Sequence, residues 1–367
     1  MKLHELLTTL NQEVPFDTAE SWDNVGLLIG DQQSEVNGIL TTLDCTLDVV
    51  EEAINQNINT IIAHHPLIFK GVKNITEDGG YGSILYRLIQ NNINLIALHT
   101  NLDVHPKGVN AMLAEKIGLN SFEILDRQTT AYYKVQVFIP KENAQAFKDS
   151  LAAHGLATEG NYEYCFFNAE GEGQFKPVGE ANPHIGQMGD IETVNELKIE
   201  FMIRSSQMTF VEELIEAHHP YETPVYDFIP MKKMSQYGLG MIGDLPEPQS
   251  VERFVQTVKQ ALKMPSVRYI GNRDETIQRV AIVGGAGIGF EKLAHQRSAD
   301  LFVTGDIKHH EALDAKMAGI NLLDINHYSE YVMKEGLVSL LQDWLADASA
   351  QLPIKASTVH TDPYDYM

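Results

Sequence analysis

Short apolar runs, each followed by a segment of helical period, recur along most of this chain. No other feature restricts its fold as strongly. Such alternation implies a mostly parallel sheet covered by helices, because parallel neighbours need a crossover that a helix supplies. Residues 24–30 and 38–45 read as buried strands, with a helix pattern near 47–56. A strand at 58–63, a helix near 83–91, a strand at 94–98 and a helix near 108–117 that stops at Gly118 continue the series. Ahead of them, Leu3, Leu6, Leu7 and Leu10 form one apolar stripe on a short helix. Charged and polar residues interrupt that stripe, so it does not read as a signal peptide.

The texture changes near residue 129. Residues 132–139 alternate like a half-buried strand, and a helix pattern covers 143–153. Gly, Asn, Pro and aromatics over 160–190 suit strands joined by turns. A strand from Glu196 to Ile203, a helix from Phe210 to Ala217 and a strand near 223–228 complete a ferredoxin-like order. From about 233 the first texture returns. A helix near 250–262, a strand at 279–283 and the glycine run Gly284-Gly285-Ala286-Gly287-Ile288-Gly289 follow. Then come strands at 300–303 and 321–325, helices near 310–318 and 329–346, and a last strand near 354–359. The expected organisation is an α/β core made of residues 1–128 and 233–367, with an α+β domain inserted at 129–232. By length alone, 367 residues would suggest two domains side by side.

Composition narrows the function. The formal net charge is −23. That argues against a nucleic-acid-coating role and against attachment to anionic membranes, since both rest on Lys and Arg. No apolar run approaches the roughly 20 residues that span a bilayer. With only Cys45 and Cys165, a cytoplasmic chain with reduced thiols is the expectation.

The residues that follow the strands carry the chemistry. Ile61-Ile62-Ala63 runs into His64-His65-Pro66, and Leu95 to Leu98 runs into His99-Thr100-Asn101-Leu102-Asp103. Leu301-Phe302-Val303 runs into Thr304-Gly305-Asp306, with Lys308-His309-His310-Glu311 just beyond. Leu322 to Ile325 runs into Asn326-His327-Tyr328-Ser329-Glu330. Open parallel sheets bind ligands beyond the carboxyl ends of their strands. Imidazole and carboxylate without thiolate suit Zn²⁺, Mn²⁺, Fe²⁺ or Co²⁺. Ligands from both halves of the core would place metals in a cleft between them.

Each residue also has a plainer reading. A lone His after a strand is usually a hydrogen-bonded surface residue. Asp306 and Ser329 could be N-caps of the helices that follow. The repetition at four strand ends is what weakens chance. His218-His219-Pro220 serves as a control: it repeats the triplet after a helix, without an Asp/His companion nearby, and reads as a helix stop at Pro. The glycine run invites a dinucleotide reading, but Phe290 stands where G-x-G-x-x-G needs its last Gly after Gly285 and Gly287. A tight strand-to-helix turn is the alternative.

At these residues the chain resembles the NIF3 family, whose members are also called GTP cyclohydrolase 1 type 2 homologs. The resemblance covers essentially the whole chain. Ser21-Trp22-Asp23-Asn24-Val25-Gly26-Leu27 is similar to the family's opening motif. His64-His65-Pro66, His99 to Asp103, Gly305-Asp306 with His309, and His327 to Glu330 are similar to its metal motifs. The resemblance implies a two-metal site with His64, His65, Asp103, His327 and Glu330 as ligands, Glu330 bridging. Asn326 stands where many members have Gly. The insert resembles the PII/CutA-like domain of longer bacterial members, through residues 159–165 and 177–183. Members form ring-like homohexamers, so an oligomer is implied here.

Two such cations, zinc foremost, would make a metal-dependent hydrolase of a nucleotide-like or phosphorylated small molecule. His99, Asp306, His309 and His310 are candidates for proton transfer or for orienting ligands. Thr304 and Lys308 could meet a phosphate. The alternative is a metal-dependent regulatory or metal-handling protein without turnover, which a PII/CutA-like insert would suit. DNA-directed control ranks last. The family name suggests GTP ring opening, but fold and metal site do not fix a substrate.

Overall fold

The fold is described from a computed structural model covering residues 1–77, 79–346 and 352–367. Two compact units emerge: Met1–Gln128 together with Gln236–Met367, and Thr129–Ser235.

The first unit holds two sheets. One is built from β1 (Gly26–Ile29), β2 (Ile39–Thr42), β3 (Thr60–Ala63), β4 (Asn94–Ala97) and, from the far end of the chain, β13 (Ile354–Ala356). Its order is β1-β4-β3-β2-β13, parallel throughout except for β1. Ile39, Ile61, Ile62, Leu95 and Ile96 are fully buried, which explains why these strands are runs of β-branched and aliphatic residues without polar alternation. Each such side chain contributes roughly 1.5–3 kcal/mol by leaving water.

Two long strands, β5 (Asn120–Pro140) and β8 (Tyr226–Ser250), carry the chain out of this unit and back into it. Within the unit, the end of β8 pairs antiparallel with β10 (Thr276–Ile282), which runs parallel to β11 (Leu301–Thr304) and then β12 (Leu322–Asp324). The short β9 (Arg268–Ile270) closes the far edge antiparallel to β12. Ile62 and Ile96 of the first sheet share one apolar cluster with Val303 and Leu323 of the second. Both sheets are therefore parallel at their centres and antiparallel only at edges.

Register sets the site. Ala63 stands opposite Ala97, so β3 and β4 end level. Thr304 stands opposite Asp324, so β11 and β12 do the same. The His- and Asp-bearing segments thus leave each pair of strands at one edge.

The second unit follows the β-α-β-β-α-β order expected from sequence. Helices Ala144–Ala153 and Met208–His218 alternate with β5, β6 (Phe167–Phe175), β7 (Glu192–Arg204) and β8. The strand order β6-β7-β5-β8 places β7 between β6 and β5, antiparallel to both. Val135, Val137, Ile199, Phe147 and Val211 form its own buried core. Only one strand, β6, lies in the turn-rich stretch 160–190.

One expected helix differs. Residues 329–346 are not one α-helix: a 3₁₀ segment, His327–Val332, precedes the α-helix Met333–Trp344. Asn326, at φ +67°, starts the 3₁₀ turn and accepts the Tyr328 N–H on its side chain. Ser329 is therefore not the cap.

Candidate metal centre

His64 is completely buried. Its backbone continues the β2–β3 pairing one step past the strand, with N–H donated to Thr42 at 3.0 Å. Its Nδ1–H donates to the Leu98 carbonyl at 2.8 Å, which leaves the Nε2 lone pair free. Among the described residues that Nε2 has no hydrogen-bond partner. It lies 3.5 Å from Asp103 Oδ1 and 3.9 Å from Glu330 Oε2. Burial pushes the ring down to about 3, so the imidazole is neutral. A buried lone pair without a donor is costly unless something fills it. A cation facing the two carboxylates would do so.

Three further imidazoles repeat the arrangement. His65 Nδ1–H donates to Asp44 Oδ1 at 2.7 Å, His327 Nδ1–H to Asp306 Oδ2 at 2.7 Å, and His99 Nδ1–H to Asp23 Oδ1 at 2.9 Å. An acceptor on Nδ1 fixes ring and tautomer and raises the basicity of Nε2, as metal-binding histidines require. His65 Nε2 lies 3.3 Å from Glu330 Oε2 and 3.3 Å from His327 Nε2.

Glu330 owes its place to the 3₁₀ segment. At three residues per turn, positions three apart eclipse, which aims Glu330 along the same line as His327. Glu330 Oε2 lies 3.2 Å from His327 Nε2. Against Glu330 sits Gly285, at φ +58°, where a Cβ would lie 2.7 Å from Glu330 Oε1. The glycine run is thus a close approach to this carboxylate, a reason for glycine unrelated to dinucleotides. Asn110 joins the two sides: its amide donates to the Asp103 carbonyl at 2.9 Å and its oxygen accepts the Gly284 N–H at 2.8 Å.

Electrostatics follow from this crowding. Burial alone would raise Glu330, but hydrogen bonds from His327 and His65 hold its carboxyl below the usual range. Asp103 is raised by burial and by the Glu330 charge. Burial opposes the charge on His65, yet Asp44 and Glu330 push it up to about 10. Glu330 and Asp306 bring His327 to about 9 against the effect of burial. At neutral pH His65 and His327 thus carry protons that a bound cation would have to displace.

Three groups of donors, each with ligand atoms within 4.8 Å of one another, result: His64–Asp103–Glu330, His65–His327–Glu330 and His64–His65–His99. The five ligands implied by the resemblance are brought together, and His99 joins them. Asp306 adopts φ +54° and holds His327; the helix His309–Met317 has its N-cap at Lys308, so Asp306 is not a cap. His309 and His310 are exposed at that helix start and enter none of the three groups. Thr304 is buried and accepts the Gly287 N–H at 2.8 Å, while exposed Lys308 pairs with Glu311. Thr304 is therefore turned away from solvent.

The sequence reading missed Asp44 and Asn110, and valued Asp23 only as part of a motif. Asp44 is the second residue after β2, as His65 is the second after β3, and that placement was the available signal. Thr361, near the C-terminus, donates its hydroxyl to Asp44 Oδ2 at 2.7 Å. The control triplet behaves as expected: His219 ends a helix, donates Nε2–H to the Phe138 carbonyl at 2.9 Å and accepts the Tyr221 N–H. Both cysteines are free. A cavity of about 730 Å³ lies in the second unit, walled by Phe138, Phe175, Glu196 and Tyr221 among others, and contains none of the donor groups. No helix among the described residues is long and apolar enough to cross a membrane.

Comparison with known proteins gives one family. The family model described as Duf34/NIF3 (NGG1p interacting factor 3) matches residues 1–363. A Staphylococcus epidermidis protein named GTP cyclohydrolase 1 type 2 homolog is 62% identical over 366 residues, covering 100% of both chains. The crystal structure of Staphylococcus aureus protein SA1388 superposes with a TM-score of 0.87 at 53% identity, covering 100% of this chain and 99% of that one. A Bacillus cereus protein related to NIF3 gives a TM-score of 0.74 at 37% identity, with 100% and 99% covered.

Proposed function

The chain belongs to the Duf34/NIF3 family, and from that premise we propose a metal-dependent hydrolase with a dinuclear centre, acting on a nucleotide-like or phosphorylated small molecule. The observation that supports this reading is the sharing of Glu330 between two donor groups. A carboxylate has two oxygens and can serve two cations. Bound there, divalent cations supply Lewis acidity and a nucleophile at neutral pH. Zinc is the proposed metal, since its sites combine imidazole with carboxylate; manganese, iron and cobalt share that donor set.

The protein's own groups divide the remaining work. His64, His65, Asp103, His327 and Glu330 are the proposed ligands. Asp44 and Asp306 orient His65 and His327 through their Nδ1–H groups. His99 is the proposed proton-transfer residue: Asp23 takes its Nδ1–H, which leaves Nε2 to accept or release a proton beside the cluster. Asp23 also accepts the Thr100 N–H and hydroxyl, so its carboxylate is fixed on both oxygens.

Elemental analysis of purified protein, joined to a panel of nucleotides and phosphoesters with GTP among them, tests the proposal. Two metals per chain and a hydrolysis abolished by His65→Ala and Asp103→Ala are the expected outcome. Stoichiometric metal with no turnover on any compound favours the metal-handling alternative. Absence of metal would sink both. A ring-shaped homohexamer is proposed on family grounds and is tested by the mass of the assembly in solution.

A further inference from the structure

Next to the metal centre stand two aromatic side chains that the site does not use. Trp22 is 57% exposed and Phe69 49% exposed. Their ring centroids lie 5.8 Å apart at an interplanar angle of 58°, so the two rings meet at a tilt, as a wedge. Trp22 also meets the edge of His99, at 6.1 Å between centroids. His99 in turn lies 5.2 Å from the His64 ring and 5.6 Å from the His65 ring. One imidazole therefore separates the wedge from the candidate ligands.

The wedge is held in place. Asp23, next to Trp22, is bonded to His99 and to Thr100. Asn24 donates its side-chain N–H to the Ile68 carbonyl at 2.6 Å, which ties the Trp22 loop to the loop carrying Phe69. Single exposed aromatics are ordinary; two in contact, on loops tied together by hydrogen bonds and beside a polar cluster, offer a surface suited to a ring.

We propose that Trp22 and Phe69 form a stacking platform for the planar ring of the molecule whose anionic end meets the metal centre. This inference rests on the reading that the centre binds a phosphorylated or nucleotide-like compound. It goes further by selecting ring-bearing compounds, for which purine nucleotides are the probe, over plain sugar phosphates. Every base has a π-face, and stacking on an aromatic side chain accounts for much of the affinity for unpaired bases. The ring supplies apolar contact at the wedge while the phosphate supplies charge at the cations.

The chain has two tryptophans, Trp22 and Trp344, so emission reports on the platform. Zinc-loaded, full-length protein is titrated with guanosine 5′-monophosphate, adenosine 5′-monophosphate and ribose 5-phosphate, and the Trp22→Phe protein gives the Trp344 background. Saturable quenching by the two purine nucleotides, lost in the background protein and absent with ribose 5-phosphate, is expected. Trp22→Ala and Phe69→Ala each weaken purine binding by about five- to a hundredfold and leave ribose 5-phosphate binding as it was. No purine binding, or an unchanged ratio of purine to ribose 5-phosphate affinity in both variants, overturns the platform. So does a change in assembly mass without a change in that ratio, which would make the pair a contact between copies of the chain. Purine binding with the expected quenching but no hydrolysis keeps the platform and removes the hydrolase reading. Hydrolysis with unaltered selectivity in both variants does the reverse.

Discussion

His65 and His327 are 262 positions apart in the chain, yet their Nε2 atoms stand 3.3 Å apart. Carboxylates hold the far side of each ring, Asp44 behind His65 and Asp306 behind His327. With one ring protonated the pair is an N–H···N hydrogen bond, and with both protonated each N–H has Glu330 Oε2 as its acceptor, at 3.3 and 3.2 Å. A cation held between the rings would take both lone pairs at once.

Metal uptake will release protons. Without metal, His65 is raised to about 10 and His327 to about 9, so both are charged at pH 7. A ligand must offer its lone pair, so each proton leaves as the cation arrives. Affinity will rise as pH increases through 9 and level off only above about 10, once both rings are deprotonated. Calorimetry in buffers of different ionisation heat should find roughly two protons released at pH 7 for the metal held by these two histidines. Uptake without proton release would contradict this.

Glu330 will matter to both cations. It belongs to two donor groups, whereas His327 and Asp103 belong to one each. Glu330→Gln keeps the volume and removes the charge, and metal content should fall at both positions. Asp44→Asn removes only the group behind His65, for which a loss of about 10- to 100-fold in metal affinity is expected. Competition against a chromogenic chelator measures both. Equal, small effects would contradict the ranking.

Gly285→Ala should impair metal binding without touching a ligand. Its φ of +58° costs an L-residue about 1–2 kcal/mol, and the new Cβ would press on Glu330 Oε1. Stability should fall by about that amount, and metal affinity with it. A variant with unchanged metal affinity would show that Glu330 can move aside freely.

A second pH effect lies away from the metal. Burial pushes His105 down to about 4, against a hydrogen bond with the Glu13 backbone that favours the charged form. Its Nδ1 accepts the Lys107 N–H at 3.1 Å, and protonating Nδ1 breaks that bond. The folded value is below the ordinary one near 6.5, so the unfolded chain binds the proton first. The contribution is complete above about pH 6.5, declines as pH falls toward 4 and is lost below it, at most roughly 3 kcal/mol. Urea melts of chelator-treated protein between pH 4 and 7 should show a steeper acid decline for the natural chain than for His105→Gln. Parallel curves would contradict the assignment.

Strand–helix alternation already implied an α/β core interrupted by a unit of different texture, because parallel strands buried on both faces need continuous apolar runs such as Ile61-Ile62-Ala63. His64, His65, Asp103, His327 and Glu330 were legible for a related reason: the segments after parallel strands gather at one edge of a sheet. What one chain could not state was which groups stand behind them. Asp44, Asp23 and Asn110 look like ordinary loop or helix polar residues until register brings Asp44 to His65 at 2.7 Å and Asn110 to Gly284 at 2.8 Å. His309 and His310 carry the right chemistry, yet lie exposed at a helix start outside the donor groups. The 3₁₀ turn that aligns His327 with Glu330 depends on the left-handed backbone of Asn326. Residue type and periodicity are local properties, and they determined the architecture and the kind of chemistry. Which lone pairs face one another is a matter of long-range packing between two sheets, and only the tertiary structure decided it.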